Sequence, residues 1–228
     1  MSSYFSWERM FDVIPKLNKY FPITLEVVLI AICTGTILGF IVAAIRVYRV
    51  PILSQFFHVY TILLRSMPFI VLIFLVYYYV PFFVMKLFGK DINSWSKITY
   101  LEIAFALNEA AFIGEIFRGA FESVPKIQSE AAYSVGLTKF QAFRRVLFPQ
   151  AVKVAIPLYG ANCVWIFSSS SVTYMFGIVD FLGRTKIIAA STGHVLEAYL
   201  YVAFVYTVIS IAVGYLFKYI DKKYTFSA

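Results

Sequence analysis

Five long apolar runs, separated by short polar or basic stretches, dominate the pattern of this chain. They cover residues 23–45, 59–80, 98–117, 151–174 and 198–217. Helical runs of about 20 such residues match the hydrocarbon thickness of a bilayer. The expectation is an all-α membrane protein with five transmembrane helices in a single transmembrane domain, residues 1–228. Ahead of the first run, Tyr4, Trp7, Met10, Phe11, Ile14 and Leu17 recur at helical spacing, with Lys16 and Lys19 elsewhere on the surface. That predicts an N-terminal interfacial helix over residues 3–20, kinked or ended near Pro15. Residues 81–97 and 177–197 read as outer connections.

The polar stretch between the third and fourth runs, EAAYSVGLTKFQAFRRVLFP, is helical in character. Pro125 can open a short helix that carries Glu130, Ala131 and Ala132. Gly136 supplies the left-handed end. Thr138 and Gln141 then have capping-box spacing, so a second short helix starts at once. Pro149 is expected to stop it and open the next run. With Lys139, Arg144 and Arg145, this elbow (about residues 123–148) is placed on the cytoplasmic side, facing a soluble partner.

Polar positions inside the runs are the candidate chemistry. The second run holds thirteen Val, Ile, Leu or Phe residues, which favour insertion by about 4–8 kcal/mol against about 3 kcal/mol for Arg65. The span therefore survives its arginine, and Pro68 adds a kink. Arg65 either lines a polar pocket there or snorkels to the interface. In the third run Glu102, Ala106, Glu109 and Ile113 share one helix face, with Ala110 and Gly114 beside it. Such a stripe faces protein or a wet cavity. Glu102 lies near the outer interface and is expected to be exposed, whereas Glu109 is mid-span. Gly35 and Gly39 form a G-x-x-x-G packing face in the first run. Ser168, Ser169, Ser170 and Ser171 cover every side of the fourth, so some face the interior.

Composition agrees with the pattern: hydrophobic residues make up 61% and charged residues 14% of the chain, and mean hydropathy is +0.79. A soluble domain carries about a quarter charged residues. The net charge of +8 lies in loops, so it follows from membrane topology and not from nucleic-acid binding. The loop 46–55, the segment 118–153 and the tail hold eleven Lys and Arg, against eight on the other side. The positive-inside rule then puts the N-terminus outside and the C-terminus in the cytoplasm. Cys33 and Cys163 read as small packing residues, His58 and His194 as ordinary polar residues, and no metal site is expected. No cleavable signal peptide is visible in the first twenty residues. The chain contains neither G-x-x-x-x-G-K-[ST] nor G-x-G-x-x-G, so any ATP must be bound by another chain.

The spacing Glu130-Ala131-Ala132, Gly136, Pro149 resembles the coupling-helix signature of ABC importer permeases. Arg65-Ser66-Met67-Pro68 resembles the R-G-T-P of the polar amino acid branch, departing at Ser66 and Met67. Leu107-Asn108-Glu109-Ala110-Ala111-Phe112 and Glu115-Ile116-Phe117-Arg118-Gly119 resemble its L-N-x-A-A-Y and E-I-x-R-G segments. The resemblance implies a permease subunit without catalytic residues or a cofactor of its own. ATP and Mg would be bound by a partner ABC ATPase dimer, against which Glu130, Ala131, Ala132, Gly136, Arg144 and Arg145 would couple. It further implies a second permease, identical or homologous, and an extracellular or periplasmic amino-acid-binding protein. The setting would be a multi-pass protein of the bacterial cytoplasmic membrane.

Where the family usually has Lys-Asp-Thr-Ser, this chain has its four serines, and Ile62 stands where an acidic residue often precedes R-G-T-P. Both argue against a cationic substrate. The implied cargo is a neutral or zwitterionic amino acid bound by Glu109, Arg65, Asn108 and Ser168–Ser171; alternatively, Glu109 and Arg65 only pair with each other. Segments at residues 108–112, 130–136 and 177–180 most resemble permeases for cystine and related sulfur amino acids. Glutamine- or glutamate-type import is the alternative. An ion-coupled carrier with Glu109 as proton relay would need duplicated halves, which are absent. A membrane enzyme would need a nucleophile–base pair or metal ligands, for which no His, Asp or Cys cluster exists.

Overall fold

The computed structural model describes residues 5–193 and 195–225, and these are helical with no strand. Ten α-helices follow in order: α1 (Trp7–Asn18), α2 (Phe21–Val47), α3 (Leu53–Ser66), α4 (Phe69–Phe88), α5 (Lys97–Glu122), α6 (Lys126–Ser134), α7 (Lys139–Ala142), α8 (Phe148–Ser169), α9 (Phe181–Thr192) and α10 (Val195–Thr225). A π-turn, Phe143–Leu147, joins α7 to α8, and a 3-10 segment, Ser170–Phe176, follows α8. Four helical stretches are long and apolar enough to cross a membrane: Phe21–Val47, Phe69–Phe88, Lys139–Phe176 and Val195–Tyr224. The third expected span, α5, falls outside that set because Glu102, Glu109 and Glu115 crowd one 18-residue window.

Four expectations change. The second run is not one helix: α3 ends at Ser66, Met67 is extended (ψ 136°), and α4 starts after Pro68. The residue before a proline avoids the α region, so the chain breaks there. Arg65 therefore sits on α3, outside the spanning helix α4. Pro149 does not stop a helix; it lies in the first turn of α8. The Phe148 N–H reaches back five residues to the Phe143 carbonyl, and this wider turn absorbs the proline's missing donor. The stretch 177–197 is not a plain connection but contains α9, capped by Asp180, whose carboxylate accepts from the Gly183 N–H at 2.8 Å. Cys33, expected to pack, is exposed, whereas Cys163 is buried. Of the predicted interfacial helix, Tyr4 lies outside the described residues, as does His194.

The chain divides into two units. One holds the residues up to Ile32 with Pro68–Phe105 and Trp165–Ala212. Its core joins Val13 and Leu17 of α1 to Phe181 and Ile188 of α9 and Ala198 and Val202 of α10. Trp7 and Phe11, on another side of α1, stay exposed, as an interfacial helix requires. The second unit holds Cys33–Met67, Ala106–Val164 and the chain from Val213 on. There Gly35 and Gly39 of α2 meet Glu109, Ile113 and Gly114 of α5 so closely that a Cβ on Gly35 would lie 2.3 Å from the Glu109 Cβ. The small-residue stripe predicted on α5 is thus a helix–helix seam.

Candidate functional site

Glu109 lies at this seam, and its exposure is 0%. Its Oε2 accepts from the Asn162 amide of α8 at 2.7 Å, and Oε1 lies 3.5 Å from the Asn108 amide. Burying a carboxyl group in a membrane helix is tolerable only with such donors. Close by in the same unit, the Thr36 and Tyr159 hydroxyls share a 2.6 Å hydrogen bond. Asn108, Glu109 and Asn162 are therefore brought together on α5 and α8. Asn162 was not among the predicted site residues, although a lone amide inside an apolar run is the signal that would have found it.

Arg65 is exposed and stands over the Phe112 ring at 5.3 Å from its centroid. Among the described residues no ion pair joins it to Glu109, so the alternative of mutual pairing is not realised. In the other unit, the serine run splits between α8 and the 3-10 segment. Ser170 is fully buried, donates to the Phe167 carbonyl at 2.7 Å and pairs with the Tyr206 hydroxyl at 3.3 Å. Ser169 and Ser171 are half-buried and Ser168 is exposed. Glu102, expected to be exposed, is half-buried.

The elbow forms as its residues dictate. Gly136 adopts φ +83° after α6. The Thr138 hydroxyl accepts from the Gln141 backbone N–H at 3.3 Å, and the Gln141 side-chain Oε1 accepts from the Thr138 N–H at 2.9 Å. Ala132 and Ala142 are buried within the elbow, whereas Glu130, Ala131, Arg144 and Arg145 are exposed. Ile127, Val135 and Phe140 are exposed as well. No group of His, Cys, Asp and Glu able to hold a metal occurs among the described residues.

Residues 35–226 match the family model described as the binding-protein-dependent transport system inner membrane component. The chain belongs to that family. It is a multi-pass membrane permease subunit, and its relatives are transport permeases. Over 223 residues it is 33% identical to the L-cystine transport system permease protein TcyL of Bacillus subtilis (strain 168), covering 98% of this chain and 93% of that one. It is 36% identical over 205 residues to the probable amino-acid permease protein YxeN of the same organism, covering 90% and 89%. Among solved structures, an amino acid ABC transporter with histidines matches with a TM-score of 0.83 at 25% identity, covering 96% of this chain and 99% of that one. The MetNI methionine ABC transporter shares the fold, with a TM-score of 0.74 at 17% identity over 96% and 99% of the two chains. ABC permeases assemble with ATPase and permease partners, so this family's members act as parts of a larger machine.

Proposed function

We propose that this chain is a permease subunit of an ATP-driven importer for a neutral, zwitterionic amino acid, with L-cystine and related sulfur amino acids the first substrates to test. Glutamine- or glutamate-type import is the alternative. Similarity to an L-cystine permease along nearly the whole chain supports an amino acid cargo. Ile62 and Ser168–Ser171, standing where acidic residues would balance a cationic side chain, support a neutral one. In this reading Glu109 receives the substrate ammonium, displacing the Asn162 amide, and Arg65 receives the carboxylate. Asn108 completes the hydrogen bonds.

The observation that carries the coupling is the elbow, where exposed Ile127, Val135 and Phe140 flank Gly136. An apolar set of this kind on a basic surface fits a docking face better than open water. The partner is an ATPase dimer that binds the ATP and Mg; this chain contributes Glu130, Ala131, Gly136, Arg144 and Arg145 to the contact, with the buried Ala132 packing the elbow behind them, and holds no cofactor itself. A second permease, identical or homologous, completes the membrane part, and an extracellular or periplasmic binding protein delivers the amino acid. The protein lies in a bacterial cytoplasmic membrane with its N-terminus outside and its C-terminus in the cytoplasm. ATP-driven movement of the elbow passes into α8, with which α7 is continuous through the π-turn, and alternates access to the site.

The test is uptake of labelled L-cystine and glutamine by the reconstituted transporter carrying Glu109→Gln. Losing one charged contact of about 1.5–3 kcal/mol lowers uptake about 10- to 100-fold while assembly and ATP hydrolysis persist. Uptake at the wild-type rate would remove Glu109 from the site.

A further inference from the structure

In the second unit, a cavity of about 330 Å³ opens where α2 ends and α3 begins. Arg49, Ser54, Gln55, His58, Arg118 and Glu122 line it, with Arg46 at its wall. The Arg46 side chain is only 9% exposed and is held by Glu115 at 2.5 Å and by the His58 Nδ1 at 3.2 Å. A guanidinium can only donate, so Nδ1 accepts and the ring N–H lies on Nε2, free to donate elsewhere. Arg118 pairs with Glu115 and Glu122. Three arginines thus face two carboxylates, and Arg49, exposed and without an ion pair among the described residues, carries the uncompensated charge.

The backbone that presents Arg49 is strained. Arg49 has φ +51° and Ile52 φ +66°, ψ −53°. The Leu53 N–H bonds the Pro51 carbonyl at 2.7 Å, which makes residues 51–53 a γ-turn of the rare positive-φ kind on a β-branched residue. Such turns are disfavoured and persist where neighbouring structure or a ligand holds them. Ile52 gives α3 no side-chain cap, and the first-turn N–H groups of Leu53, Ser54 and Phe56 are taken up by the Pro51, Val50 and Ile52 carbonyls. Tyr48, Ile52, Leu53 and Phe56 are exposed beside it, Ile52 at 81%. The last spanning residues of α2 end here, so these apolar groups stand at headgroup depth.

The geometry points to a binding site for the phosphodiester headgroup of an anionic lipid, with Arg49 as the charge partner, His58 Nε2–H as a donor, and Tyr48 and Phe56 beside the acyl chains. One surplus positive charge matches the single negative charge of such a headgroup, and an arginine fork matches its oxygens. The site depends on the chain crossing a membrane and not on which substrate it carries.

Thermal unfolding of the assembled transporter in neutral detergent tests it, with dioleoylphosphatidylglycerol, dioleoylphosphatidylcholine or inorganic phosphate added. The midpoint should rise with phosphatidylglycerol alone. In Arg49→Gln the lipid needed for half the rise should increase roughly tenfold with the lipid-free midpoint unchanged, as loss of one charge-assisted contact implies. His58→Gln, which keeps an acceptor for Arg46, should weaken the response in the same direction. An unaltered response in both variants, or an equal rise with phosphatidylcholine, would overturn the site. A rise reproduced by inorganic phosphate would overturn the lipid as its occupant.

Discussion

At the scale of single residues, the contact between Gly35 and Glu109 decides how near α2 can come to α5. A methyl group added at Gly35 would overlap the Glu109 Cβ, and backbone rather than a flexible side-chain tip must then move. Gly35→Ala is expected to lose most folded protein from the membrane, measured as the detergent-soluble monodisperse fraction. Gly119→Ala, on the same helix α5 but facing open space, should match wild type or gain about 0.5–1 kcal/mol from helix propensity. Asn162→Ala removes the 2.7 Å donor to Glu109 and leaves a buried carboxyl group short of a partner. A loss of about 1–3 kcal/mol follows, read as a lower unfolding midpoint. Glu109 was legible in the sequence because a carboxylate amid small residues has few explanations in a membrane helix. That Asn162 answers it was not, since the two lie 53 positions apart and no local spacing links them.

At the scale of elements, the elbow was readable in detail because its signals are local: a left-handed glycine, then a hydroxyl three residues before a glutamine. Gly136→Ala meets no neighbouring atom, so its penalty is conformational alone, about 1–2 kcal/mol at φ +83°. The variant should insert normally yet import fewer substrate molecules per ATP hydrolysed. Helix α9 was not readable. Its buried residues Phe181, Thr185, Ile188 and Ala189 are interrupted by Arg184 and Lys186, and its burial comes from α1 and α10, distant in sequence. Its start does depend on Asp180, which accepts from Gly183 and from the Thr24 hydroxyl at 3.2 Å. Burial pushes the Asp180 carboxyl above its ordinary range, while these donors oppose the shift. A carboxyl raised on folding stabilises below its unfolded pKa, and that contribution fades as pH rises through the folded value. Asp180→Asn keeps an N-cap acceptor, so its stability relative to wild type should increase with pH, as unfolding midpoints between pH 4 and 8 would record. The break at Met67-Pro68 was hidden for another reason: hydropathy runs straight across it, while the backbone rule that splits α3 from α4 concerns sterics.

For the whole molecule, orientation is the reading most open to direct measurement. With Cys33 and Cys163 replaced, Ser6→Cys should react with a membrane-impermeant maleimide in intact cells, and Tyr224→Cys, on the exposed end of α10, only after permeabilisation. The reverse result would invert the assignment of sides. Three of the carboxylates of α5, Glu102, Glu109 and Glu115, have a consequence for how the protein is made. Each disfavours entry into the bilayer by about 2.5–3.5 kcal/mol when unanswered. Arg46, which meets Glu115, has already been synthesised when α5 emerges, but Asn162 has not. Helix α5 must therefore wait beside the translocon, shielded from lipid, until α8 arrives. A nascent chain halted once α5 has left the ribosome but before Asn162 has should leave this segment open to proteolysis, and one long enough to deliver all of α8 to the membrane should protect it.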